Sequence, residues 1–110
     1  MGSAMGLITE VSVESLPIVP TLVWNGIPLF DVSDGLRLVD YCKRNGIAVL
    51  GVEGFKIKEG KRIPDMDCIV DFSASLNEMD FAVRSVEMSQ LIIEGMIGNG
   101  IFLEFVLVRV

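Results

Sequence analysis

The chain has 110 residues, of which 51% are apolar, and a net charge of −6 at neutral pH. This length suits one domain with a single hydrophobic core, and the apolar content excludes an intrinsically disordered chain. The negative charge disfavours nucleic acid as a direct ligand and favours a basic protein partner. No apolar run reaches the roughly 18–20 residues that a membrane-spanning helix requires, so no membrane association is expected.

The first six residues, MGSAMG, have the composition of an expression scar, so we expect a single globular domain over residues 7–110. No charged segment followed by an apolar one precedes this domain, which predicts a cytoplasmic protein. Cys42 and Cys68 lie far apart, and the chain contains no histidine. These features exclude a zinc site built from cysteine and histidine and favour two reduced, buried thiols. No cofactor is expected.

The first predicted elements are short strands. Residues 7–20 contain two prolines and are interpreted as an extended arm or a short edge strand. The stretch TLVWNGIPLF predicts a hairpin, because Asn25-Gly26 is the dipeptide that best fits a type I′ turn.

A first helix is predicted from Ser33, which would be its N-cap, to the stop signal Asn45-Gly46. The apolar stretch IAVLGVEGFKI that follows predicts an inner strand, parallel to the strand before the helix. Glu53 is the one unexpected polar residue near its centre. The neighbouring Gly51 and Gly54 predict a bulge or the close approach of another backbone.

The residues KEGK at 58–61 predict a turn between two antiparallel strands. Successive side chains of a strand point to opposite faces. On the second strand, this alternation places one set of side chains on a wet face and another on the core face. The wet set is Asp65, Asp67, Ile69 and Asp71, and the core set is Met66, Cys68, Val70 and Phe72.

A second helix is predicted to begin after Ser75, because Glu78 lies at the spacing of a capping box, and to end near Gly95–Gly100. Residues 101–110 are β-branched and aromatic, and predict an inner strand. The expected fold is α+β (or α/β): a two-layer sandwich of a mixed β-sheet and two helices, in the order β-β-α-β-β-α-β.

Catalytic signatures are missing from this sequence. It lacks histidine, the nucleophile motif G-x-S-x-G and the phosphate-binding motif G-x-x-x-x-G-K-[ST], so we do not expect an enzyme. The aspartates of residues 63–72 have three alternative interpretations: a solvated face, a docking surface, or a Mg²⁺ or Mn²⁺ site using Asp65 and Asp67. Partner binding is the leading hypothesis, and its candidate residues are Asp65, Asp67, Asp71, Glu78, Asp80 and Glu53.

Three stretches, GIAVLGVEGF, IPDMDCIVDFS and FLEFVLVRV, resemble bacterial immunity proteins of polymorphic-toxin and contact-dependent inhibition systems. The resemblance covers residues 33–110. It implies a cytoplasmic, non-catalytic inhibitor that binds one cognate toxin domain, commonly a basic nuclease. No family motif assigns the contacts, so the acidic candidates come from charge alone. The alternatives are a small-ligand or divalent-metal protein, and a homodimer that covers the apolar terminal strand.

Overall fold

The computed structural model describes residues 8–96 and 100–110. The expected expression scar, residues 1–6, lies outside the described residues. The helices are α1 (Val32–Asn45) and α2 (Phe81–Glu94). The strands are β1 (Thr9–Val11), β2 (Leu22–Trp24), β3 (Ile27–Leu29), β4 (Ala48–Lys58), β5 (Lys61–Asp71) and β6 (Phe102–Arg109). Two short 3₁₀ turns occupy Val13–Ser15 and Ser73–Ser75.

Four strands form one antiparallel sheet in the order β1-β6-β4-β5, and β2 and β3 form a separate antiparallel hairpin. The expected α+β class with two helices is confirmed, and so is the inner position of β6. The expected mixed sheet is wrong, because every described strand pair is antiparallel. The strand before α1 is β3, which pairs with β2; the residue after it, Phe30, forms a backbone bridge with Leu103 of the large sheet. No parallel crossover to β4 therefore forms among these strands.

The main core lies between the large sheet and the two helices. Its buried side chains come from both layers: Leu38, Val39 and Cys42 of α1, Val86 and Ile93 of α2, and Val49, Val52, Leu103, Phe105 and Leu107 of the sheet. Both helices therefore cover the same face of the sheet. Within the described parts of the chain, neither helix is long and apolar enough to cross a membrane.

The two predicted hairpin turns are confirmed. Asn25 and Gly26 have φ values of 50° and 79°, and Glu59 and Gly60 have φ values of 52° and 74°. Two successive positive φ angles characterise the type I′ turn, whose twist matches that of the flanking strands.

The N-cap residue of α1 differs from the predicted one. The carboxylate of Asp31, rather than the hydroxyl of Ser33, accepts the amide hydrogen of Asp34 at 2.8 Å. The helix therefore includes Ser33 in its first turn. The predicted stop is confirmed, since Gly46 takes the left-handed conformation with a φ of 67°.

The start of α2 is also later than predicted. Ser75 ends a 3₁₀ turn, and the helix begins at Phe81. The side chain of Phe81 packs against Ala48 and Val108 in a second buried cluster. Phe72 and Leu76 of the preceding connection pack against the same cluster, so the connection is held against the sheet before the helix begins. The helix ends at Glu94, with Gly95 as its C-cap; residues 97–99 of the predicted end lie outside the described residues.

Candidate functional site

Strand pairing defines a sheet face that the helices do not cover. Directly paired residues of neighbouring strands share a face. Glu53 of β4 pairs with Ile69 of β5 and with Glu104 of β6. Val52 and Phe105 pair on the opposite, helix-covered face. At one end, the uncovered face carries Gly51, Glu53, Ile69, Asp71, Glu104 and Val106. It continues toward the turn between β4 and β5 with Phe55, which pairs with Phe102, and with Arg62, which pairs with Ile57.

A charge network crosses the uncovered face. The Nη2 atom of Arg62 lies 3.1 Å from Oε2 of Glu53 and 2.7 Å from Oε1 of Glu104. The same guanidinium lies 3.8 Å from the ring centroid of Phe55, which has no exposed surface. Arg62 therefore covers the ring of Phe55 and neutralises one of the two negative charges of Glu53 and Glu104.

Replacing Arg62 by methionine should lower the free energy of unfolding by about 1–2 kcal/mol. The methionine side chain would still cover Phe55, but Glu53 and Glu104 would lose the cation they share. Urea unfolding at low ionic strength would measure the loss. Exchanging both glutamates for glutamine in the same variant should recover most of it, and an Arg62→Met protein as stable as the wild type would contradict the network.

The pairing of β5 is irregular where the acidic residues lie. The register passes from Glu53–Ile69 directly to Phe55–Pro64, so residues 65–68 of β5 face only Gly54 of β4. This interruption breaks the simple alternation that predicted a single wet set and a single core set. Met66, predicted to face the core, is 78% exposed, which makes its prediction wrong.

Gly54 permits the irregularity. A β-carbon at Gly54 would lie 2.6 Å from Cβ of Cys68 and 3.2 Å from the Cys68 carbonyl oxygen. The buried Cys68 therefore packs directly over a backbone position that has no side chain. The close approach predicted at Gly54 is confirmed, and a second register shift between Val49 and Gly51 confirms the predicted bulge.

The three aspartates of β5 have different local environments. Asp65 is partly buried, and its Oδ1 atom accepts the amide hydrogen of Asp67 at 3.0 Å. Asp67 itself is exposed. Oδ1 of Asp71 accepts the amide hydrogen of Ser73 at 2.8 Å, and this hydrogen bond lowers the pKa of Asp71, so its carboxylate stays charged. Among the described residues, no lysine or arginine forms an ion pair with any of the three.

The other predicted contact residues divide between two places. Glu53 joins Asp71 on the uncovered face. Glu78 and Asp80 lie in the connection before α2, where Glu78 reaches Arg84 at 3.5 Å and Asp80 takes a left-handed conformation with a φ of 63°. The structure therefore brings Glu53 and Asp71 onto one surface and places Glu78 and Asp80 on a separate segment.

Sequence reasoning missed two residues of the uncovered face, Arg62 and Glu104. A signal for Glu104 was present, because it is the one charge inside the apolar run FLEFVLV, as Glu53 is inside VLGVEGF. Two lone carboxylates in neighbouring inner strands require a cation or water between them. Arg62 is that cation, but its assignment requires the register of β5.

The two cysteines are free and buried, as expected. Burial raises the pKa of the Cys42 thiol to about 12. Burial also raises the pKa of Cys68, and the neighbouring Asp65 carboxylate raises it further. Both thiols are therefore protonated at neutral pH and are poor nucleophiles.

The metal alternative lacks a complete ligand set in the part of the chain that the structure describes. Within it, no group of three or more cysteine, aspartate or glutamate side chains is arranged to hold a metal ion. Asp65 and Asp67 differ in exposure, and the Asp65 carboxylate already bonds to the Asp67 backbone.

Comparison of the chain with protein-family models, with curated proteins and with solved structures gives no match. The interpretation of the uncovered face therefore depends on its own geometry and charge.

Proposed function

We propose that this chain is an immunity-type protein that binds a cognate toxin domain and neutralises it without catalysis. The observation that carries the proposal is the concentration of carboxylates on the uncovered face and the adjoining part of β5. The bacterial cytoplasm is the setting that such an inhibitor requires, and a basic, nuclease-like domain is the partner that its charge favours.

Charge and accessibility support this assignment together. The chain carries a net charge of −6. Asp67 and Asp71 are exposed and form no ion pair within the described residues, and the hydrogen bond from Ser73 keeps Asp71 ionised. An inhibitor with such a surface would attract a basic partner over a distance and orient it before contact. The affinity itself would come from apolar side chains buried after the encounter.

Reducing the negative charge of β5 should slow association with the basic toxin domain by about tenfold at low salt. The variant combines Asp65→Asn, Asp67→Lys and Asp71→Asn, because asparagine keeps the oxygens that accept backbone hydrogens in this strand. Stopped-flow or surface plasmon resonance measurements would give the association rate, with the product of the neighbouring gene as the partner.

The matched control combines Glu87→Lys and Glu94→Lys, which changes the net charge equally on exposed positions of α2. We expect this control to associate much faster than the β5 variant. Equal rates for the two variants would mean that only the overall charge matters, and a wild-type rate for the β5 variant would remove this surface from the proposal.

A further inference from the structure

The uncovered face contains a groove of about 350 Å³ between β4, β5 and β6. Gly51 lies between its two strand partners, Asp71 on β5 and Val106 on β6. Because glycine has no side chain, the centre of the groove is open. The groove is lined by three carboxylates, Glu53, Asp71 and Glu104, and by the aliphatic residues Leu50, Ile69 and Val106.

The floor and the rim of the groove differ in chemistry. Ile69 is 41% exposed and Val106 is 40% exposed, so aliphatic surface remains accessible across the gap above Gly51. The carboxylates of Glu53, Asp71 and Glu104 surround it, and Arg62 is the cation that Glu53 and Glu104 share. Three carboxylates and one guanidinium leave a net charge of −2 around an apolar floor.

We propose that this groove receives an apolar side chain of the partner that is flanked by lysine or arginine. The apolar side chain lies over Gly51 between Ile69 and Val106, and the flanking cation binds Asp71 or Glu53. The inference rests on the proposed function, since it names the part of a basic partner that the surface selects. Desolvated apolar anchors surrounded by complementary charge are the usual source of affinity in such interfaces.

Charge also selects this occupant over a second copy of the same chain. A dimer through this groove would bring two surfaces of equal sign together, and like charges across an interface oppose association. A neutral apolar segment would leave the carboxylates of the rim partly desolvated without a counter-charge. A segment that combines an apolar side chain with a cation satisfies both parts of the groove.

A random peptide library displayed on phage tests this proposal on the whole chain. Panning against the wild-type protein should enrich peptides in which an aliphatic or aromatic residue adjoins lysine or arginine. The synthesised peptides should bind Gly51→Val about tenfold more weakly or worse, because the valine side chain occupies the centre of the groove. A β-carbon at Gly51 would lie 3.1 Å from the Val70 carbonyl oxygen, so the backbone of β5 must shift by a few tenths of an ångström for this variant to fold.

A second variant guards against a folding defect of Gly51→Val. Ile69→Ser combined with Val106→Ser removes the aliphatic surface of the groove at two exposed positions, and this double variant should weaken binding of the same peptides by a similar factor. The matched control is Val23→Ser, at a valine that is 63% exposed on the separate hairpin, and it should leave binding unchanged.

Three results would contradict the proposed role of the groove: no peptides enriched on the wild-type protein, enriched peptides that lack a cation, or peptides that bind every variant equally. The two proposals fail in distinguishable ways. A toxin domain that binds the wild type and Gly51→Val equally, but loses binding to the β5 charge variant, would refute the groove alone. Absence of binding between the wild type and the toxin domain would refute the proposed function.

Discussion

Replacing Phe30 by alanine should lower the free energy of unfolding by about 3–5 kcal/mol. Phe30 has no exposed surface, and its ring meets that of Phe105 edge-to-face at a centroid distance of 5.7 Å. Alanine would leave a cavity where the hairpin of β2 and β3 joins the large sheet. It would also remove an aromatic pair worth about 0.5–1.5 kcal/mol beyond its buried area. Urea unfolding followed by tryptophan fluorescence and circular dichroism would measure the loss.

The matched control is Phe30→Leu, which keeps most of the apolar volume and should cost much less than the alanine variant. The backbone of Phe30 is unchanged in both. Its amide donates to the Leu103 carbonyl at 3.0 Å, and the Leu103 amide donates to the Phe30 carbonyl at 2.7 Å. A loss below about 1 kcal/mol for Phe30→Ala would show that the backbone bridge alone attaches the hairpin.

Features that depend on adjacent residues could be predicted from the sequence. Asn25-Gly26 and Glu59-Gly60 specify their turns, because few other residues adopt two successive positive φ angles. Gly46 ends α1 for the same reason. These signals were sufficient for the two hairpins, the first helix and the α+β class.

Features that depend on distant contacts could not be predicted in this way. The capping-box spacing of Ser75 and Glu78 predicted a helix start that the chain does not use. Instead, the Phe72 amide bonds to the Leu50 carbonyl at 2.8 Å, and the connection continues until Phe81 reaches its buried cluster. Strand order fails for a similar reason, since nothing local to β3 specifies that β6, rather than β3, lies beside β4.

The candidate site combines both kinds of information. Alternation correctly separated Asp67 and Asp71, which are exposed, from the buried Cys68. It failed at Met66, and it placed Asp65 on the wet face although Asp65 is partly buried, because the interrupted pairing of residues 65–68 follows from contact with β4. Charge composition therefore identified the acidic part of the chain, but the groove and its Arg62 network required the strand register.

Replacing Gly54 by alanine should lower the free energy of unfolding by about 3 kcal/mol, at the upper end of the range for overpacked cores. The new methyl group would lie 2.6 Å from Cβ of Cys68 and 3.1 Å from Cγ2 of Ile101. Neither neighbour can rotate away, because one atom is a β-carbon and the other belongs to a buried, β-branched side chain. The strain should also displace residues 65–68, so hydrogen exchange should accelerate in the segment that carries Asp65 and Asp67. Thermal and urea unfolding would measure the stability.

Two further variants test the cause. Gly95→Ala is the matched control: Gly95 follows α2 with an ordinary φ of −72°, and its nearest neighbour, the Ile92 carbonyl oxygen, would lie 3.4 Å from the new β-carbon. This change should be neutral or stabilise the protein by about 0.4–1 kcal/mol. Cys68→Gly removes the atom that Gly54→Ala would strike, so the double variant should lose less stability than the two single losses added together. Additive losses would mean that the contact with Cys68 does not limit the size of residue 54. The irregular path of β5, which separates Asp65 from Asp71, would then need another cause.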